Sequence, residues 1–158
     1  GLDNLKSSLI AIFPLIILIP ALNGLIGNYG TIISARISTL LHEGKVHENA
    51  LKNKEVRKMI KQIILISMFT ALFTSLISLG ISNLSGNPAD FTTSYKIILI
   101  CILDTLIIVS ILFFTTIASG IYFYKKKEDP NNFLIPISTS IADLGNMAII
   151  AILVALFF

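Results

Sequence analysis

Asp143, within Ser138-Thr-Ser-Ile-Ala-Asp-Leu-Gly-Asn146, is the residue with the strongest chemical claim. It lies in an apolar stretch long enough to cross a bilayer, about 15 Å along a helix axis from Phe133 at roughly 1.5 Å per residue. A carboxylate near the bilayer centre costs roughly 2.5–3.5 kcal/mol on insertion scales, so such residues are rare and usually functional. Helical spacing places Pro136, Thr139, Asp143 and Asn146 on one face. Near the other end of the chain, Pro20, Gly24, Gly27, Thr31, Ser34 or Ala35, and Ser38 step by three or four onto a second face. Gly27 and Asn28 fall about 27 Å past Leu9, at a similar depth. The two faces offer a carboxylate, amides, hydroxyls and backbone carbonyls freed at the glycines. That all-oxygen set suits hard cations such as Mg2+. With few carboxylates, the site would hold Mg2+ through its hydration shell, because Mg2+ sheds water reluctantly. The same stripe of small residues also suits close helix packing.

Other polar residues carry less. Asp104 lies in a later apolar block, toward the outer surface if that span begins at Ile97 or slightly before. It fits a residue lining the path, a structural polar contact or, with Asn146, a second ion or proton site. Arg36 sits near the end of its segment, where its head can snorkel to the interface. Cys101 reads as a small buried hydrophobe. His42 and His47 are five apart, which does not align them on one helix face, so His42-Glu-Gly-Lys-Val-His47-Glu48 reads as a solvated loop. Gly24–Gly30 lacks the Lys-Ser/Thr that follows a phosphate-binding loop. No nucleophile–base pair or metal-ligand cluster marks an enzyme.

The elements that must position these residues follow from composition. The chain is 54% hydrophobic and 13% charged over 158 residues. Soluble domains carry about 25% charged residues, so this is an all-α polytopic membrane protein forming one domain. Its net charge of +3 is too small to argue for nucleic acid. Four transmembrane segments are expected. The first runs from Leu9 to Ile26 and resumes from Thr31 to Leu41; Pro14, Pro20 and the Gly24–Gly30 motif predict a kinked, Gly-broken helix. Lys6 before this run mimics a signal peptide, but the block continues without a cleavage motif and reads as a retained span. The second segment covers Ile63–Leu84 and the third Ile97–Tyr124. The fourth opens on an Asp129 cap with Pro130 at its first position, bends near Pro136 and reaches Phe158. Residues 43–62 carry six Lys/Arg and residues 125–129 three, against Lys96 and Lys6 elsewhere outside the spans. The excess places both rich loops in the cytoplasm.

A family resemblance rests on two signatures. Ile19-Pro-Ala-Leu-Asn-Gly-Leu-Ile-Gly-Asn28 with Ser34-Ala-Arg-Ile-Ser-Thr39 resembles the first signature of the MgtE family of magnesium channels and, more closely, of their eukaryotic solute-carrier relatives. Asp129-Pro-Asn-Asn132, Pro136, Ser140 and Asp143 resemble the second. The resemblance implies a divalent-cation transport domain acting as a homodimer in the lipid bilayer, with the ion path between protomers. It places the pore aspartate on Asp143, the filter glycines on Gly24 and Gly27, and flanking contacts on Thr139 and Thr31. The family domain has five spans, so its first would precede Gly1. The Asn28-Tyr-Gly30 stretch departs from the bacterial pattern. Mg2+ is the implied cargo. A Na+- or H+-coupled divalent exchanger and a non-transporting membrane assembly subunit remain as alternatives.

Overall fold

The computed structural model describes residues 2–46 and 50–158, with side chains described from Phe13 onward. Among these, four long α-helices make up the fold, α1 (Leu2–His42), α2 (Lys54–Leu84), α3 (Phe91–Lys125) and α4 (Asn131–Phe157), with one short 3-10 turn at Ala50–Lys52. All four are long and apolar enough to cross a membrane. Short connections make successive helices antiparallel, so α1 and α3 run the same way. These two form the centre, and α2 and α4 flank them on opposite sides, each packing on both.

α1 is helical without interruption through Pro14, Pro20 and the Gly24–Gly30 motif. The expected glycine break is therefore corrected. In a bilayer no water waits to satisfy freed carbonyls, so keeping the helix through a glycine costs less than opening it. The carbonyls of Gly24 and Gly27 stay within the helix. The loop expected over 43–62 is also shorter than composition suggests, because α2 begins at Lys54. Val56, Met59 and Ile63 are buried at i, i+3 and i+7, while Lys54, Arg57, Lys58 and Lys61 stay exposed. The basic run is thus the solvated face of an amphipathic helix start. Asn53 caps it, its Oδ1 accepting from the N–H of Glu55 at 2.7 Å and of Val56 at 3.4 Å, and its amide donates to Lys45 O. Asn53→Ala should lower the melting temperature of the purified protein, by an amount equivalent to about 1 kcal/mol, the usual worth of an N-cap. Beside this cap Lys45 pairs with Glu43 at 2.9 Å and Glu55 at 3.4 Å, and these two carboxylates raise its pKa. His47 and Glu48 lie outside the described residues.

The helix ends close alike. Lys45 N–H bonds to Leu40 O and Gly44 N–H to Leu41 O, and Asn87 and Gly86 repeat the pattern on Ser82 and Asn83. Both turns need a left-handed residue, supplied by Gly44 (φ 66°) and Gly86 (φ 78°). α3 ends the same way with Lys127 at φ 61°, a conformation that costs a side-chain-bearing residue roughly 1–2 kcal/mol. At the start of α4, Asp129 Oδ1 accepts from Asn131 N–H at 3.0 Å, as a cap preceding a first-turn proline does.

α2 presents a stripe of small buried residues, Ser67, Ala71, Ser75, Ser78 and Ser82, to the centre. The hydroxyls of Ser67 and Ser75 fold back onto Ile64 O and Leu72 O, and Ser78 donates to Pro14 O of α1. Small residues with internally satisfied hydroxyls let helix backbones approach where no hydrophobic drive exists between spans. The opposite side of α2, with Leu65, Phe69, Phe73 and Leu76, is exposed and apolar, as a lipid-facing surface must be.

Candidate functional site

α1 and α4 meet at Gly30. A methyl group there would sit 3.3 Å from Ser138 Cβ and 3.4 Å from Ser138 O. Four residues on, Ser34 donates to the Ser138 hydroxyl at 2.9 Å, and Ser138 donates onward to Ile135 O at 3.1 Å. The predicted stripe on α1 therefore divides. Ser34 and Ser38 turn into the bundle, whereas Gly24, Asn28 and Ala35 are exposed and Gly27 and Thr31 half-buried. A Cβ added at Gly24 or Gly27 meets nothing within 4 Å, so neither glycine serves packing inside the protomer.

Asp143 is exposed on the same side of the bundle. Asn23 ties it down: its Nδ2 donates to Asp143 Oδ1 at 2.9 Å. The Asn23 Oδ1 accepts from Asn146 Nδ2 at 3.0 Å. One amide thus reads both predicted residues of α4 and fixes the depth at which α1 and α4 meet. Asn23 is the lone polar residue of the Leu9–Ile26 block, and that isolation is the signal in the sequence for its role. Thr31 donates to Gly27 O at 3.2 Å, and Thr139 to Ile135 O at 2.9 Å. With their protons engaged on their own helices, both hydroxyl oxygens are left as acceptors.

The outward surface of α1 and α4 is therefore a set of acceptors around one carboxylate. Water molecules in the first shell of a cation donate outward, so this surface suits a hydrated cation. It does not suit a stripped one: among the described residues no group of three or more His, Cys, Asp or Glu side chains is placed to hold a metal. Asp104 stands apart from this surface. It is fully buried on α3, and because α3 begins at Phe91 rather than Ile97 it lies deeper in the span than its sequence position suggested. Arg36 lines a groove of about 530 Å³ between α1 and α2, together with Lys61 and Gln62.

The model of the MgtE family, described as a divalent cation transporter, matches residues 19–153. No match was found among curated proteins or among solved structures. The family match takes in Asn23 through Thr31 and Thr139 through Asn146, the two strips of chain that build the acceptor surface. On that match the chain, a multi-pass membrane protein and a transporter rather than an enzyme, belongs to the MgtE family of divalent cation transporters.

Proposed function

We propose that this chain carries Mg2+ across the cell membrane along a path between two copies of itself, lined by α1 and α4 of each. The exposure of Asp143 on a membrane-spanning helix carries the reading. An ionised carboxylate facing hydrocarbon is untenable, and intramembrane charges face a protein interior or a water-filled cavity. A second copy laid over the α1–α4 surface supplies that cavity. It also brings a second Asp143, and two carboxylates around a hydrated ion balance its charge. Gly24 and Gly27 keep the surface open for the water shell, while Asn28, Thr31 and Thr139 accept hydrogen bonds from it. The hard-oxygen character and the retained hydration favour Mg2+ among divalent ions.

The loops at 43–53 and 126–130 face the cytoplasm in this reading. The excess of Lys and Arg around them supports that orientation, as do Tyr122 and Tyr124, which are exposed at the same end. Lys126 lies 4.5 Å over the Tyr122 ring there.

The test is Mg2+ entry into sealed vesicles holding the purified protein, with a Mg2+ gradient and no imposed Na+ or proton gradient. Entry well above that of protein-free vesicles is expected. Entry at the protein-free rate overturns the proposal, and entry only under an imposed Na+ gradient replaces the path with an exchange cycle.

A further inference from the structure

Two apolar clusters fill the bundle, one toward each end. The cluster at the His42 end takes α1 from Ile26 onward, α2 up to Ile63, α3 from Ile108 onward and α4 up to Ala142. The other takes Leu15, Leu18 and Leu22 of α1, Ala71 of α2, Ile97 and Cys101 of α3 and Ile150 of α4. Between them every helix contributes polar residues, among them Asn23, Ser67, Asp104 and Asn146. The last three have no exposed surface. A polar layer thus crosses the protein at one depth, and its outer end is the Asn23–Asp143 hydrogen bond.

The hydrogen bonds of this layer do not balance. Ser67 donates to Ile64 O. Asn146 donates an N–H to Asn23 Oδ1, and Asn23 donates one to Asp143 Oδ1. Asp104 Oδ1, Asp104 Oδ2 and Asn146 Oδ1 are left buried without a partner. These are three acceptors with no donor, and burying such groups unpaired is costly. A proton on Asp104 turns one acceptor into a donor and gives the layer the hydrogen bond it lacks. A metal ion fits less well, because α3 and α4 touch beside the layer: a Cβ on Gly145 would lie 2.9 Å from Ile108 Cδ1.

Among the described residues, the surroundings offer Asp104 no charged partner. On α3 the nearest titratable group is Cys101, whose thiol donates to Ala71 O. α1 brings Tyr29, two turns inward and bonded to Thr70 of α2. α2 carries no titratable residue from Ile63 to Leu84. α4 brings Asp143, on the outer surface. Arg36 and Lys61 lie at the far end, in the α1–α2 groove.

We propose that Asp104 is an interior proton site, and that the Asn146–Asn23 amide pair couples its occupancy to the hold on Asp143. With the proton on, Asp104 donates to Asn146 Oδ1, and the amides stay ordered as the structure shows them, holding Asp143. When the proton leaves to water, Asp104 becomes a pure acceptor and Asn146 turns its NH2 group toward it. Asn23 Oδ1 then loses its donor, the hold on Asp143 loosens, and that carboxylate is freed for the shell of the ion. The functional consequence rests on the Mg2+ reading above; the proton site itself does not.

Two measurements on the reconstituted full chain test this. Mg2+ entry through the wild type should rise roughly fivefold or more from mildly acidic to mildly alkaline pH, the scale of ordinary site–site coupling. Asp104→Asn offers an NH2 group to Asn146 at every pH, so its entry rate should stay at the acidic level throughout. An Asp104→Asn variant that follows the wild-type pH profile overturns the coupling. In parallel, the acid-minus-alkaline infrared difference spectrum of the wild type should contain the carbonyl stretch of a protonated carboxyl group, lost in Asp104→Asn and shifted in Asp104→Glu. Absence of that band from the wild type, or its persistence in Asp104→Asn, overturns the proton site. The band present without any Mg2+ entry upholds the proton site and fails the Mg2+ reading instead.

Discussion

Asp143→Asn should lower Mg2+ entry by at least about tenfold while leaving the protomer folded. The fold survives because the residue is exposed, so its substitution opens no cavity. The amide also keeps a carbonyl oxygen where Asp143 Oδ1 accepts from Asn23. Only the charge is lost. A divalent ion about 5 Å from a carboxylate gains about 1.7 kcal/mol at the dielectric constant of water and about 7 kcal/mol at an effective value of 20. Even the lower figure exceeds the roughly 1.4 kcal/mol that corresponds to a factor of ten. Two facing copies would double it. Entry measured in vesicles, beside the melting temperature and elution volume of the variant, separates loss of charge from loss of fold. Undiminished entry through a well-folded variant would remove Asp143 from the path.

Much of the fold was legible in the sequence because the bilayer allows so few solutions. Long apolar blocks separated by basic or turn-forming loops leave four spanning helices as the consistent reading, and the structure has them. The errors came where local composition was weighed above the helical period. Pro20 and the glycines of 24–30 weaken a helix in water, yet α1 runs through them. The basic run from Lys54 to Lys61 looked like a loop because its charges dominate composition, whereas Val56, Met59 and Ile63 carry the helical period beneath them.

The site was legible in part for a different reason. Periodicity says which residues share a face but not what that face meets. Ser34 and Ala35 fitted the same stripe equally well; the structure buries Ser34 against Ser138 and leaves Ala35 outside. Asn146 shared a predicted face with Asp143 and yet is buried one turn further on, bound to Asn23. Such assignments depend on the depth at which two helices cross, and that depth is set by contacts far apart in sequence, such as Gly30 on Ser138.

Gly27→Leu and Gly30→Leu, three residues apart on one helix, should fail in opposite ways. At Gly30 an added side chain runs into the backbone and side chain of Ser138, and backbone cannot yield as a flexible side-chain tip does. Overpacking of this kind costs roughly 1–3 kcal/mol, so Gly30→Leu should melt earlier as a protomer. At Gly27 there is open space, and replacing glycine in a helix interior recovers about 0.8–1.0 kcal/mol of backbone propensity. Gly27→Leu should therefore keep or slightly raise the melting temperature. In the proposed path that space holds the water shell of the ion, and a leucine from each protomer fills it. Mg2+ entry through Gly27→Leu should then fall to the rate of protein-free vesicles. A Gly27→Leu protein that melts early would make the glycine a packing residue after all. One that is stable and conducts normally would place the path away from the α1–α4 surface. Only a stable protein that no longer conducts fits a glycine kept small for the ion.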